Sequence, residues 1–356
     1  MFFNGEESRL RSLLEKLDSG VKLYREEFAC LMSAEPSVLN AVASDMAGDI
    51  ARRTFGRRVF LRGLIEISSF CKNDCLYCGL RASNKDAQRY RLSREEILER
   101  CEAGYELGLR TFVLQGGEDL ALTDEWVADV VREIKKRFAG VAVTLSLGER
   151  DKVSYRRFKD AGADRYLLRH ETYNAEHYAR LHPQTMSRDA RVACLHTLKR
   201  LGFQTGAGMM IGSPGQTPAT LADDLMFLQE LRPEMVGIGP FIPAHGTPFE
   251  HEPKGSVERT LSLISVVRIM FPRANIPATT ALATLDAKGR EKGIMAGANV
   301  LMPNISPKEQ RAKYSIYDNK ANTGLESIEG LEELKERLAA IGYTVDWGRG
   351  DCLDPR

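Results

Sequence analysis

Cysteine is scarce in this chain, seven in 356 residues, too few for a disulfide framework in a protein of this size. Neither sign of charge is in excess: lysine plus arginine number 50 and aspartate plus glutamate 49. A nucleic-acid binder normally carries a basic surplus, so that class is disfavoured. Long apolar runs are missing as well. No stretch approaches the roughly 18 consecutive apolar residues that span a bilayer. The opening MFFNGEESRLRSLLEKL is charged and amphipathic and lacks the features of a secretory leader. There is no repeat of solenoid period and no low-complexity segment. These absences predict a cytoplasmic protein with neither nucleic acid nor membrane as partner.

What the chain does have is an uneven placing of its few cysteines. Cys71, Cys75 and Cys78 fall within eight residues, while Cys30, Cys101, Cys194 and Cys352 are scattered. A clustered triplet in a chain expected to be cytoplasmic points to metal or redox chemistry before disulfides.

The surrounding pattern sets the fold. Leu10, Leu13, Leu14 and Leu17 recur on one helical face. Two further helical stretches, 26–32 and 38–50, complete a preamble. A strand is then expected over Val59 to Ser68, and Ser93 with Glu96 reads as a capping box opening a helix that stops near Gly108. Further strands are expected at 111–115, 141–147, 164–169, 204–211, 235–241, 275–280 and 298–302, with helices between, one opened by Thr217 and Pro218. Eight strand–helix units predict an α/β protein, a complete (βα)8 TIM barrel. An open doubly wound sheet is the alternative. The expected division is an N-terminal helical extension (1–55), the barrel (56–305) and a C-terminal cap segment (306–356) with a capping helix near 327–341.

The triplet reads Cys71-Lys-Asn-Asp-Cys75-Leu-Tyr-Cys78, directly after the first expected barrel strand. Three thiolates on a short loop can hold three irons of a cubane and leave the fourth open to a small chelating molecule. A structural zinc site completed by His170 or Cys101 is the bland alternative. Zinc sites usually show Cys-x2-Cys pairs, and here the first gap is three residues with no second pair.

Cys-x3-Cys-x-aromatic-Cys, with Tyr77 as the aromatic, resembles the signature of the radical S-adenosylmethionine (SAM) superfamily. Within it, CLYCGLRASN (75–84), LQGGED (114–119), VTLSLGER (143–150), ADRYLLRHET (163–172), GIGPFIPAHGTP (237–248) and IPATTA (276–281) resemble the FeFe-hydrogenase maturase HydE family. The resemblance implies one 4Fe-4S cluster on Cys71, Cys75 and Cys78, and SAM held by Tyr77, Gly116, Gly117, Glu118, Glu171 and Arg191. It implies a substrate cavity lined by Thr144, Thr279 and Thr280; Arg169 is expected to hold a substrate carboxylate by a bidentate contact, and Tyr314 and Tyr317 to close the cavity from the last loop. The register around Arg191 leaves Arg188 as a substitute.

From the residues themselves, Arg169 and Glu171 stand two apart on an expected strand and share a face, as do Thr144 and Ser146. A mutual salt bridge is the plain alternative for the charged pair. Thr279 and Thr280 are adjacent, so both face inward only where the strand ends between them. His170 is expected to face the helix shell as an ordinary core residue. Many members of the family carry a second cysteine triplet near the C-terminus, whereas residues 303–351 hold no cysteine, so a single cluster is expected. The implied substrate is a small iron-containing or amino-acid-like molecule. Other hydrogenase maturation proteins and an external electron donor are the implied partners. Methylornithine synthase, biotin synthase and a non-catalytic iron–sulfur carrier are the competing readings.

Overall fold

A computed structural model describes residues 5–320 and 327–353. Three helices come first, Gly5–Asp18, Arg25–Ser33 and Pro36–Phe55. The four leucines of the first are all buried, as their spacing requires. The third opens on Pro36 and stops at Gly56, which takes φ 67° and donates back to the Arg52 carbonyl. It packs against Val257–Met270. There Arg268 is fully buried and donates to the carbonyls of Gly297, Pro272 and Ala274.

The strands are β1 (Arg58–Leu61), β2 (Gly63–Ser68), β3 (Thr111–Gly116), β4 (Ala142–Ser146), β5 (Arg165–Leu167), β6 (Gln204–Ile211), β7 (Met235–Pro240), β8 (Val300–Leu301) and β9 (Thr344–Asp346). β2 through β7 form one parallel sheet in chain order. Helices cross over between its strands. The capping box holds, with Ser93 and Glu96 bonding reciprocally at 2.7 and 3.1 Å, and Gly108 ends that helix at φ 100°. From β7 the pairing continues as single parallel bridges, Met235 to Asn275, Pro277 to Val300 and Asn304 to Leu64 of β2. The pairing therefore returns to its first strand.

The last two staves are thinner than the sequence pattern predicts. The seventh is reduced to bridges, since Pro277 offers no N–H to a ladder. The eighth is two residues long before Pro303. The single strand expected over 59–68 is two strands. The chain changes partners at Arg62, with β1 joining β8 and β9 in a separate three-stranded sheet. β9 was not expected from its three residues. The C-terminal helix is Leu331–Ala340.

Beyond β9 the tail crosses the N-terminal ends of the strands. Fully buried Arg165 donates to the Arg349 carbonyl at 2.8 Å and to Asp351 at 2.7 Å, and Arg62 donates to the Gly350 carbonyl. With that end occupied, the C-terminal ends of the strands carry the open chemistry, as in barrels generally. Among the described residues no helix is long and apolar enough to cross a membrane.

Candidate active site

The loop after β2 is held in shape by its own side chains. Asp74 accepts two bonds from Arg81 (2.9 and 2.7 Å) and two from Ser83 (3.0 and 2.8 Å). Arg89 donates to the carbonyls of Ser69, Leu80 and Arg81 at 2.6, 2.9 and 2.7 Å. The backbone ties outward from Lys72 to Glu118, from Leu76 to Leu181 and from Gly79 to Ile316. These bonds leave Cys71, Cys75 and Cys78 partly buried and near one another.

Burial pushes all three thiols up, Cys78 to about 12, and for Cys75 the charges of Cys78 and Cys71 add to it. Such thiols stay protonated at neutral pH unless bound cations compensate their charge. Among the described residues no three His, Cys, Asp or Glu side chains stand grouped to hold a single ion. A cubane spreads its thiolates over three separate irons, and three thiols on one short loop fit that donor set. The zinc alternatives point elsewhere. His170 is buried with Nε2 3.3 Å from Asp224 and its ring against Phe227, as expected of a core histidine. Cys101 is buried in Arg94–Glu106.

A cavity of about 330 Å³ opens beside this loop. Tyr77, Cys78, Gly116, Arg169, Glu171, Arg191, Thr279, Thr280, Tyr314 and Tyr317 all line it. Cys71, Cys75, Gly117, Glu118 and Thr144 stand outside that lining. Gly117, expected among the SAM-holding residues, has the cysteine loop as its near neighbour. A Cβ there would lie 2.3 Å from the Phe70 carbonyl oxygen and 2.7 Å from Cys71 Cβ. Glu118 turns onto the next strand's loop. Its Oε1 accepts from the Glu149 N–H at 2.8 Å, and its Oε2 lies 3.3 Å from Lys72. Gly148, at φ 73°, leaves room for that carboxylate. Thr144 is buried with no bonded partner for Oγ1. Its same-face neighbour Ser146 reaches the cavity in its place.

Arg169 and Glu171 lie beyond the end of β5, not on a regular strand as expected. Glu171 takes φ 63° while its N–H bonds to the Gly208 carbonyl at 3.0 Å. A non-glycine residue in that region is held against its preference by its surroundings. Arg169 Nη2 lies 2.9 Å from Glu171 Oε2. The angle is poor, so Arg169 Nε and Nη2 and Glu171 Oε2 form no hydrogen bond in the described structure. The salt bridge therefore exists and keeps spare bonding capacity, which is costly in a buried site without a ligand.

The structure places the two candidate arginines apart. Arg191 faces the cavity, donates to Glu149 and, at 2.9 Å, to the Arg169 carbonyl. Arg188 lies over the Tyr173 ring beside Asp189. Beneath Tyr77, whose hydroxyl is 3.3 Å from His182 Nε2, burial depresses His182 to about 3. Thr279 and Thr280 both reach the cavity because the chain leaves its extended course there. Thr279 caps the helix Thr280–Leu285, and Gly239 allows its hydroxyl to approach.

Sequence reasoning missed the inner wall. Glu66, Gln115 and Ser146 pair in register across β2, β3 and β4 and all line the cavity. Glu66 accepts from Lys320 and, at 2.8 Å, from Asn304. A glutamate in the apolar run LIEIS was the available signal for Glu66; nothing marked Lys320.

This loop-and-cavity pair defines a class, and the comparisons agree with it. The Radical SAM superfamily profile matches residues 65–228. The solved structure of a methylornithine synthase superposes with TM-score 0.81 at 28% identity, covering 94% of this chain and 97% of that one. The chain is thus an enzyme of the radical SAM superfamily, whose members use a 4Fe-4S cluster and SAM. It is 47% identical over 310 residues to the [FeFe] hydrogenase maturase subunit HydE of Thermotoga maritima, covering 87% of this chain and 88% of that one. Against the 3-methylornithine synthase of Methanosarcina barkeri it is 30% identical, over 93% of each. The chain belongs to the FeFe-hydrogenase maturase HydE family.

Proposed function

We propose that this enzyme acts in building the diiron unit of FeFe-hydrogenase, on a small iron carbonyl cyanide precursor carried on cysteine and supplied by a partner maturase. The observation that carries the reading is the under-bonded Arg169–Glu171 pair, in one cavity with Cys78, Arg191 and two threonine hydroxyls. In this reading Cys71, Cys75 and Cys78 hold the cluster. When bound and reduced, it would supply the electron for reductive cleavage of SAM.

The protein's own part is binding, orientation and exclusion of water. Arg191 takes the SAM carboxylate in charge-assisted bonds and Glu171 the ribose hydroxyls. Gly116 gives backbone access from the end of β3. Arg169, Thr279 and Thr280 hold polar groups of the substrate, with Tyr77 packed under the cofactor.

The test is anaerobic. Reconstituted, reduced enzyme with SAM should form 5′-deoxyadenosine, and a Cys75→Ala variant should not. Addition to a maturation mixture lacking its HydE should then restore hydrogenase activity. Conversion of lysine to methylornithine, without restored hydrogenase, would assign the chain to that chemistry. Failure to bind SAM would leave only an iron–sulfur carrier.

A further inference from the structure

We propose that Lys320 and Glu66 are positioning residues whose ion pair latches residues 314–320 across the cavity, closing it over bound cofactor and substrate. The inference rests on reading that cavity as the reaction chamber.

Four of these seven residues, Tyr314, Ile316, Tyr317 and Lys320, form cavity wall. Outside, the segment is pinned at two places by hydrogen bonds to or from backbone groups. Gly79 of the cysteine loop donates to the Ile316 carbonyl at 3.0 Å, and Asp318 donates to the Pro243 carbonyl at 3.0 Å. The Asp318 side chain accepts from the His245 N–H at 2.8 Å. It therefore spans from the loop after β2 to the loop after β7, the two ends of the six-stranded sheet. The fit at the first end is tight, since a Cβ on Gly79 would stand 2.2 Å from the Ser315 carbonyl oxygen.

Its inner anchor is different in kind. Lys320 enters the barrel, and its side chain and that of Glu66 are 7% and 0% exposed. The ammonium donates to Glu66 and to the Tyr314 carbonyl at 3.3 Å, and it lies 5.0 Å from the centre of the Tyr314 ring. The other oxygen of Glu66 is taken by Asn304 at 2.8 Å. Gln115 adds a 3.4 Å bond to the Tyr314 hydroxyl.

Hydrogen bonds at the rim exchange with bonds to water at modest net cost. Separating a buried ion pair leaves an uncompensated charge in a dry site, a larger penalty. The latch thus dominates the closed state. Two pairs line this cavity, and their bonding differs. Arg169 and Glu171 touch with atoms left unbonded, as suits a pair that receives a ligand. Glu66 has both oxygens bonded within the protein, as suits a fastening.

The test uses the reconstituted full-length enzyme with Lys320→Met, Glu66→Gln and Lys320→Arg. Hydrogen–deuterium exchange is followed in peptides covering 312–320, with β3 and β4 peptides as a control for the fold. SAM affinity is measured by calorimetry. In the first two variants exchange over 314–320 should rise about tenfold, since local opening governs it. β3 and β4 should stay protected and SAM affinity should hold within about twofold, because the closed form remains the major one at equilibrium. Lys320→Arg should recover most of the protection. The isosteric Glu66→Gln decides the matter if Lys320→Met does not fold. Unchanged exchange in Glu66→Gln overturns the latch, and unchanged exchange with a large loss of SAM affinity would make the pair a ligand contact. None of these readouts depends on the hydrogenase substrate, so a failed maturation assay leaves this test intact.

Discussion

Gly117→Ala should damage the cysteine loop while leaving the cavity wall untouched. The added Cβ would stand 2.3 Å from the Phe70 carbonyl oxygen and 2.7 Å from Cys71 Cβ. Neither atom belongs to a flexible side-chain end, so the loop must retreat by about 1 Å to reach ordinary contact. Overpacking of this kind costs about 1–3 kcal/mol, and a shift of about 1 Å in a catalytic group can lower the rate about a hundredfold. Cys71 also loses alignment with the Glu118 N–H that lies 3.4 Å from its sulfur. The expected result is less iron retained after reconstitution and 5′-deoxyadenosine formation about a hundredfold slower. Gly237→Ala is the control. It lies on the cavity wall, yet its added Cβ would meet nothing nearer than Arg169 Cδ at 3.8 Å. Iron content there should match the parent protein. If Gly117→Ala binds iron and cleaves SAM like the parent, the close-packing argument for this glycine is wrong.

Arg191→Met should weaken SAM binding about 10- to 100-fold, the worth of charged hydrogen bonds, and Arg188→Met should not; calorimetry on both decides the register by function. Reconstituted protein should carry about four irons per chain, from a single cubane. Cys71→Ala, Cys75→Ala and Cys78→Ala should each lose them and Cys101→Ala should not, so iron near eight per chain would refute the single-cluster expectation. Burial pushes His177 and His182 down to about 4 and about 3 from 6.5. Both are neutral when folded near pH 5, where the unfolded chain binds more protons. Stability is therefore full above about pH 6.5 and falls below it, by up to about 1.4 kcal/mol per pH unit for each histidine. Thermal melts from pH 7 to 5 should show this decline, and His177→Gln or His182→Gln should flatten it.

The site was legible in the sequence to different degrees, for physical reasons. The cysteine loop could be read because its chemistry is local: eight residues contain all three thiols. Arg169 and Glu171 were readable as a pair because two charges so close in an apolar stretch demand a use. Their backbone was not, since the left-handed turn at Glu171 follows from its bond to Gly208, 37 residues away in sequence by subtraction of their numbers. Glu118 was placed at the right strand end, but its bond to Glu149 arises only when β3 and β4 lie side by side. Thr279 and Thr280 could both be lining residues only once the strand was seen to give way to a helix.

By itself, the sequence determined what short-range physics controls. That covers the helical faces, the capping box at Ser93, the alternation of strands with helices, and the thiol set that suits a cubane. Tertiary structure decided what depends on distant segments meeting. It split the first strand at Arg62, thinned the last two staves and set Arg191, not Arg188, in the cavity wall. It also brought Lys320 to Glu66, 254 positions apart. No local pattern encodes such a pair, because it exists only once the strands have brought their C-terminal ends around one cavity.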